Sequence, residues 1–511
     1  MTGRAAWWVF ATLALFYCLT TSGHVLSPDA VLRARAAEGL LEHGRPSIDP
    51  IGVPQGFLAV GRLGDSYPKY EAGPSLAALP FLAIGAAAAK LAPAGSEQVF
   101  RGPIFLWYSP DDSEAAWRFA GMVLTNAFLV AALCAVLFAL ALELGYSPRA
   151  ALIVTAAAAV ASPLWVYSKD LFAEPLAGLG LLVFALFVER LAKAHRWQSA
   201  LWAGAGFGVS VLARFAHLAL LPLAFILAAH ALRGSRDRRS SWASSLAMAA
   251  GLGLLLLLGA WWNWVRFGSI WVSGYGEELR LWTTPPLLGL SGLLFSPGRG
   301  LLPHFPLVLL AVAATPASWR RSIRMTLFAW GTLITLLVVY CRWHGWDGGW
   351  CWGPRFLVPA IAPLVLLCAP FFDGLWAGTW KRVAGYGLLA VSGLIAFTGT
   401  LVAYTDFDQA LRHAGTTLPY LEVVRWSWTT YPPVAYWPFE PKEFYLLFRA
   451  LRTPQAWWLA ALFGAGFGLL PVMVRHTGTL VLGTSTSRRV GWRSWALIAG
   501  LAVLFGAIAR L

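Results

Sequence analysis

AMAAGLGLLLLLGAWW, Ala247 to Trp262, and AGYGLLAVSGLIAFTGTLVA, Ala384 to Ala403, decide the fold class. Neither run alternates in polarity, as the roughly 10-residue strands of a membrane β-barrel do. Both come near the roughly 20 apolar residues that a helix needs to cross a hydrocarbon core. Similar runs recur along all 511 residues, of which 58% are hydrophobic and 12% charged, against about 25% charged in an ordinary soluble domain. These features describe an all-α polytopic membrane protein of about thirteen transmembrane helices.

The spans are expected near residues 6–22, 115–143, 150–167, 175–192, 197–213, 216–232 and 243–264, then 303–318, 325–341, 356–372, 383–404, 456–474 and 494–510. As one helix, Trp197 to Leu232 would be roughly 54 Å long, so two spans turning near Arg214 fit better. With the N-terminus in the cytoplasm, the inner loops hold Arg149, Arg190/Lys193/Arg196, Arg233/Arg236/Arg238/Arg239, Arg320/Arg321/Arg324, Lys381/Arg382 and Arg475/Arg488/Arg489/Arg493. That is the positive-inside pattern. It also accounts for the net charge of +15 without a nucleic-acid partner, because the basic residues are scattered in short clusters between apolar runs. The stretch Pro74 to Leu91 would reverse every later loop if it crossed, so it is read as an interfacial or re-entrant helix on the outer side.

This arrangement leaves Glu143, Glu189, Asp237 and Asp373 inside and the other twenty of the 24 carboxylates outside. Carboxylates do little to orient a membrane protein, so the asymmetry points to a solvated outer surface or to chemistry there. The outer face comprises residues 23–114, 168–174, 265–302, 342–355 and 405–455. Five cysteines, most of them inside apolar runs, read as small core residues; Cys341 and Cys351 could also meet as a disulfide.

Several outer segments carry reactive groups. Ser27-Pro28-Asp29 opens a helix over Ala30 to Leu41 with Val31, Ala34, Leu40 and Leu41 on one face, and Asp29 would ordinarily be its cap. Gly64-Asp65-Ser66-Tyr67-Pro68-Lys69-Tyr70-Glu71-Ala72-Gly73-Pro74 sets a lysine at headgroup depth, either snorkelling or holding a lipid phosphate. Lys169-Asp170-Leu171-Phe172-Ala173-Glu174 spaces Asp170 and Glu174 four apart, on one face if a helix begins there, with Lys169 able to pair with either. Arg266 and Arg299 lie among glycines that permit close backbone approach. Arg342-Trp343-His344-Gly345-Trp346-Asp347-Gly348-Gly349-Trp350-Cys351-Trp352-Gly353-Pro354-Arg355 interleaves indoles with His344, Asp347 and Arg355. Trp346 and Asp347 suit a sugar, and Arg355 lies too near hydrocarbon to be a casual charge.

These segments resemble the GT-C superfamily of membrane glycosyltransferases, notably bacterial relatives of protein O-mannosyltransferases and of the lipid A aminoarabinose transferase. The resemblance spans roughly residues 6–400. It rests on the acid after the first span, Tyr67-Pro68-Lys69-Tyr70-Glu71-Ala72-Gly73-Pro74, the Asp of the next outer turn, Phe295-Ser296-Pro297-Gly298-Arg299-Gly300 and Gly353-Pro354-Arg355-Phe356-Leu357. It implies a polyprenyl-phosphate sugar as donor, reaction at the outer face of the cytoplasmic membrane, and a helical juxtamembrane loop after span one. The acceptor would be a cell-envelope glycan, lipid or protein. By the same resemblance, Asp29 is the catalytic base, Asp170 the second acid and Lys69 the donor-phosphate ligand, with Arg355 a further phosphate candidate. Tyr67, Glu174, Arg299, Trp346 and Asp347 complete the expected substrate-binding set. The chain departs from protein O-mannosyltransferases in having a lone Asp29 where they show adjacent acids, and it lacks a clear metal-ligand cluster. No cofactor is implied beyond the lipid-linked donor, and a divalent metal is left open. Residues 1–404 would form the catalytic module, and 405–511 an outer loop with the last two spans. A polytopic transporter or a lipid-linked saccharide flippase is the rival reading, since many spans and outer charges would serve it equally.

Overall fold

The computed structural model describes residues 2–23, 25, 27–100, 113–233, 237–374, 378–413, 420–436 and 446–482. It is nearly all-α. Among the described residues, eight helices are long and apolar enough to cross a membrane. Most expected spans form helices close to their expected bounds. The run around Ala247 to Trp262 becomes Arg238–Phe267, begun by Asp237, whose carboxylate accepts the Arg239 and Ser240 amides, and closed by Gly268 at φ 68°. The turn expected near Arg214 is present, since Trp197–Ala213 ends there in extended backbone before a 3-10 segment, Phe215–Leu220. The segment 150–167 is broken into Pro148–Val160 and Leu164–Tyr167. The expected span 494–510, with Arg236, Arg488, Arg489 and Arg493, lies outside the described residues.

Small residues let the helices approach closely. A Cβ built on Gly204 would lie 1.9 Å from the Met248 carbonyl oxygen, and one on Gly251 would lie 2.2 Å from that of Leu201. Trp197–Ala213 and Arg238–Phe267 are therefore nearly in backbone contact, as expected where dispersion rather than the hydrophobic effect holds helices together.

The bundle has two chemically distinct ends. At one, Arg324 grips Glu189 at 2.7 and 3.0 Å, while Arg190 and Lys193 reach Glu143 at 3.3 and 2.8 Å. Arg321 donates to the Leu144 and Gly145 carbonyls at the same end. Asp29, Glu174, Arg214 and Arg355 gather at the other.

Over that second end lies a layer built from the first long loop. It contains Pro28–His43, a hairpin pairing Leu58–Val60 antiparallel with Ser66–Pro68, and Ala72–Leu91. Ala72–Leu91 meets the length and composition of a crossing helix. Both of its ends nevertheless meet the same end of the bundle. Gly73 abuts Leu212 and Ala213 near the Arg214 turn, and Gly85 abuts Trp117 and Arg118 at the start of Ser113–Glu143. Farther along, Ala88 and Ala89 pack against the apolar cluster that holds Phe100, Trp117 and Leu19, the last residue of the first helix. Between its ends Ala72–Leu91 packs along Ser113–Glu143, with Phe81 against Gly121 and Phe128.

Pro28–His43 differs from the expected amphipathic helix. Val31 and Ala34 are buried, but so are Ala30, Leu32 and Arg33 on other faces, and Leu41 is exposed. The cause is that the hairpin and Ala72–Leu91 cover it from different sides.

Candidate active site

The Asp29 carboxylate is released from its own helix backbone because another residue caps the helix. Ser27 accepts the Ala30 amide, Pro28 fills the first helical position, and Asp29 follows in the first turn with its carboxylate unused by the backbone. One oxygen accepts the Tyr70 hydroxyl and the other the Arg355 guanidinium. Arg33, one helical turn on, lies 3.9 Å from the same carboxylate. Burial opposes ionisation of Asp29, but the Arg355 and Arg33 charges and the Tyr70 hydrogen bond hold its carboxyl well below the usual carboxylate range. It is therefore an anion at neutral pH. Burial, reinforced by the Asp29 charge, raises the Tyr70 hydroxyl above its ordinary value, so it stays a donor.

Arg355 connects this acid to a second one. Its Nε donates to Glu174 at 3.1 Å, and one terminal nitrogen donates to the Gly348 carbonyl at 2.9 Å. Gly348 is at φ 81°, a conformation that costs glycine little, and the turn it makes presents that carbonyl to the guanidinium. Glu174 also accepts Arg214 at 2.5 Å. Arg214 in turn meets the Tyr275 hydroxyl at 3.5 Å, which donates to Glu71 at 3.4 Å. Glu71 additionally accepts the Phe215 amide at 3.3 Å. Acids from three helix starts are thereby interlocked with cations from two chain turns.

Two adjoining cavities share Asp29, Phe57, Asp347, Gly348, Gly349 and Arg355 in their walls. The larger, about 610 Å³, adds Lys69, Glu71, Arg214, Tyr275, Glu278 and His344, and continues over Phe215, Ala216, Ala219 and Val339. The smaller, about 320 Å³, adds Arg299, Trp350 and Val424. Lys69 reaches the larger one, but its ammonium is paired with Glu278 at 2.6 Å, and His344 lies 3.5 Å from the other oxygen of that glutamate.

Of the residues singled out in the sequence, Asp29, Lys69, Asp347 and Arg355 line the larger cavity, Arg299 lines the smaller, and Glu174 supports Arg355 from behind. Asp170 lines neither. The helix begins at Glu174, with Pro175 in its first turn, rather than at Asp170, so the two acids do not share a helix face. Asp170 is instead buried, accepting the Tyr404 hydroxyl at 2.9 Å and the Leu171 amide. Lys169 donates to the Thr400 carbonyl at 3.2 Å, and the ion pairs of Glu174 are with arginines. Tyr67 lies in the hairpin beside Asp65 and Phe267. Trp346 is buried against Gly292, with Arg425 over its ring. Arg266 secures the Pro68 and Tyr70 carbonyls at 2.8 and 3.1 Å, a structural task. Cys341 and Cys351 are free thiols, so the alternative of a disulfide is not realised.

Sequence reasoning missed Arg33, Tyr70, Glu71, Tyr275 and Glu278 as site members and took Arg214 only as a turn. It also missed Arg425, 3.0 Å from Asp347, and Asp408, 3.5 Å from Arg299. With Tyr404, these residues tie Tyr404–His413 and Tyr420–Trp426 to the site. Among the described residues, no group of three or more His, Cys, Asp or Glu side chains is placed to hold a metal ion. The chain matches no protein-family model and no curated protein.

Proposed function

We propose that this protein is a polytopic membrane glycosyltransferase that moves a sugar from a polyprenyl-phosphate donor to a hydroxyl of a cell-envelope acceptor. The reaction is assigned to the outer face of the cytoplasmic membrane, with the arginine-rich end of the bundle and the N-terminus inside. One observation carries the reading. Asp29 borders a single cavity with Lys69, Arg214 and Arg355, and the wall of that cavity continues over Phe215, Ala216, Ala219 and Val339. A carboxylate, a cluster of cations and an apolar groove suit an acceptor hydroxyl, a phosphate and a prenyl chain respectively.

In this mechanism Asp29 takes the acceptor's proton as its oxygen bonds to the anomeric carbon. The bond from that carbon to the phosphate oxygen breaks, and its electron pair leaves on the phosphate. Arg355, Arg214 and Lys69 stabilise the growing charge. A single displacement inverts the anomeric centre. Asp170, outside the cavity, supports the turn from which Glu174 orients Arg355.

The test supplies radiolabelled polyprenyl-phosphate sugars to the purified protein with cell-envelope acceptors and measures released polyprenyl phosphate and transferred sugar. Consumption of a donor that disappears in Asp29→Asn supports the reading. No consumption, with intact lipid-linked saccharide carried across reconstituted vesicles, would replace it with a flippase.

A further inference from the structure

The geometry points to Glu278 as a resident stand-in for the donor's phosphate, a carboxylate that an incoming lipid phosphate must displace from Lys69. This rests on the donor reading of the larger cavity and adds a selectivity element to it. Four carboxylates on that wall, Asp29, Glu71, Glu278 and Asp347, face three permanent cations, Lys69, Arg214 and Arg355. His344 adds a charge only when protonated. With Arg33 and Arg425 behind Asp29 and Asp347, and Glu174 between Arg214 and Arg355, acids and cations balance among the described residues, so an entering anion finds no spare positive charge until one carboxylate withdraws.

Three of the four are fixed. Asp29 is held by Tyr70 and Arg355, Glu71 by the Phe215 amide and the Tyr275 hydroxyl, and Asp347 by Arg425 at 3.0 Å. Glu278 is different. It sits on the five-residue turn Gly276–Arg280, in which no residue is buried and which opens at Gly276 with φ 49°. The turn is anchored on either side. Gly274 is pressed against the Lys69 backbone, and the Thr284 amide donates to the Arg342 carbonyl at 3.1 Å. Residues 276–280 can swing between Tyr275, whose hydroxyl stays on Glu71, and Leu281, whose carbonyl accepts the His344 amide, while the rest of the wall stays in place.

Lys69 thus arrives at the reaction already neutralised. A neutral lipid entering the groove has nothing to offset the loss of the 2.6 Å Lys69–Glu278 pair, whereas a phosphate replaces the carboxylate with a ligand of equal or greater charge. Glu278 selects for an anionic head group and couples its arrival to movement of the turn.

The experiment compares binding of farnesyl phosphate and farnesol to the full-length protein in detergent. The variants are Glu278→Gln, Glu277→Gln on the same turn, and Lys69→Met alone and combined with Glu278→Gln. Hydrogen exchange is followed over 275–284, and thermal unfolding verifies that each variant is folded. The expected result is that Glu278→Gln binds farnesyl phosphate about two- to fivefold more tightly, with farnesol unchanged. Glu277→Gln should match wild type, Lys69→Met should erase the gain, and farnesyl phosphate alone should speed exchange in the wild-type turn. Unchanged or weaker binding by Glu278→Gln, in a wild type that prefers farnesyl phosphate to farnesol, would overturn the role of Glu278 and leave the donor reading standing. A wild type with no such preference would remove the donor reading and this proposal together.

Discussion

Replacing Asp29 with Asn separates catalysis from structure at the centre of the site. The amide is nearly the same size and keeps an oxygen for the Tyr70 hydroxyl, but it carries no charge and takes up a proton poorly. Arg355 loses one of its two carboxylate partners and keeps Glu174 at 3.1 Å and the Gly348 carbonyl at 2.9 Å. The structural cost is then that of one charge-assisted hydrogen bond, about 1.5 to 3 kcal/mol, which a large bundle tolerates. Loss of a general base lowers the rate about 10²- to 10⁴-fold. The assay is the initial rate of polyprenyl phosphate release, read beside thermal unfolding and donor affinity in the same preparation. A variant that is folded and binds donor but turns over within twofold of wild type would refute the assignment of Asp29. So would a rate loss no larger than the loss of folded protein.

Three further outcomes follow from the same geometry. Because the folded carboxyl of Asp29 is held low, its contribution to stability is complete above its unfolded value near ~4 and is lost as pH falls toward the folded one. The gap in unfolding temperature between wild type and Asp29→Asn should stay constant from about pH 7 to 5 and close only below about pH 4; a gap that closes near pH 6 contradicts the pairing. Glu174→Gln deprives both Arg214 and Arg355 of a buried carboxylate and should cost about 3 to 5 kcal/mol. Its unfolding temperature should fall below that of Asp29→Asn, and the reverse order would show that Glu174 is not the shared support. Asp170→Asn and Tyr404→Phe disturb a buried pair outside both cavities. They should lower stability by about 1 to 3 kcal/mol while leaving KM for either substrate unaltered, and a raised KM at unchanged stability would return Asp170 to the binding wall.

What could be read in the sequence was local. Runs such as Ala247 to Trp262 announce helices because length and apolarity are properties of a single segment, and the break at Arg214 follows from the length of one helix. Arg355 stood out because a charge beside an apolar run demands a reason, whereas Asp29 read as a helix cap and was singled out only through the family resemblance. The partner of Lys69 did not stand out, because Glu278 is 209 residues away and nothing near either residue specifies the other. The same holds for Glu174, whose spacing suggested Asp170 as a neighbour until the proline after it set the helix start. Pro28–His43 was misjudged for a related reason, since a helix covered on several sides loses the one-sided pattern that periodicity detects.

The link between Asp29 and Arg355 spans 326 residues, and this has a consequence for biosynthesis. At a synthesis rate of about 5–20 residues per second, the acid waits roughly 15 to 65 seconds for its counter-ion to be made. During that interval Pro28–His43 has Arg33 and Tyr70 to neutralise and shelter the carboxylate, both encoded within the first loop. Those two side chains therefore act as a temporary escort for a charge whose permanent partner is translated much later.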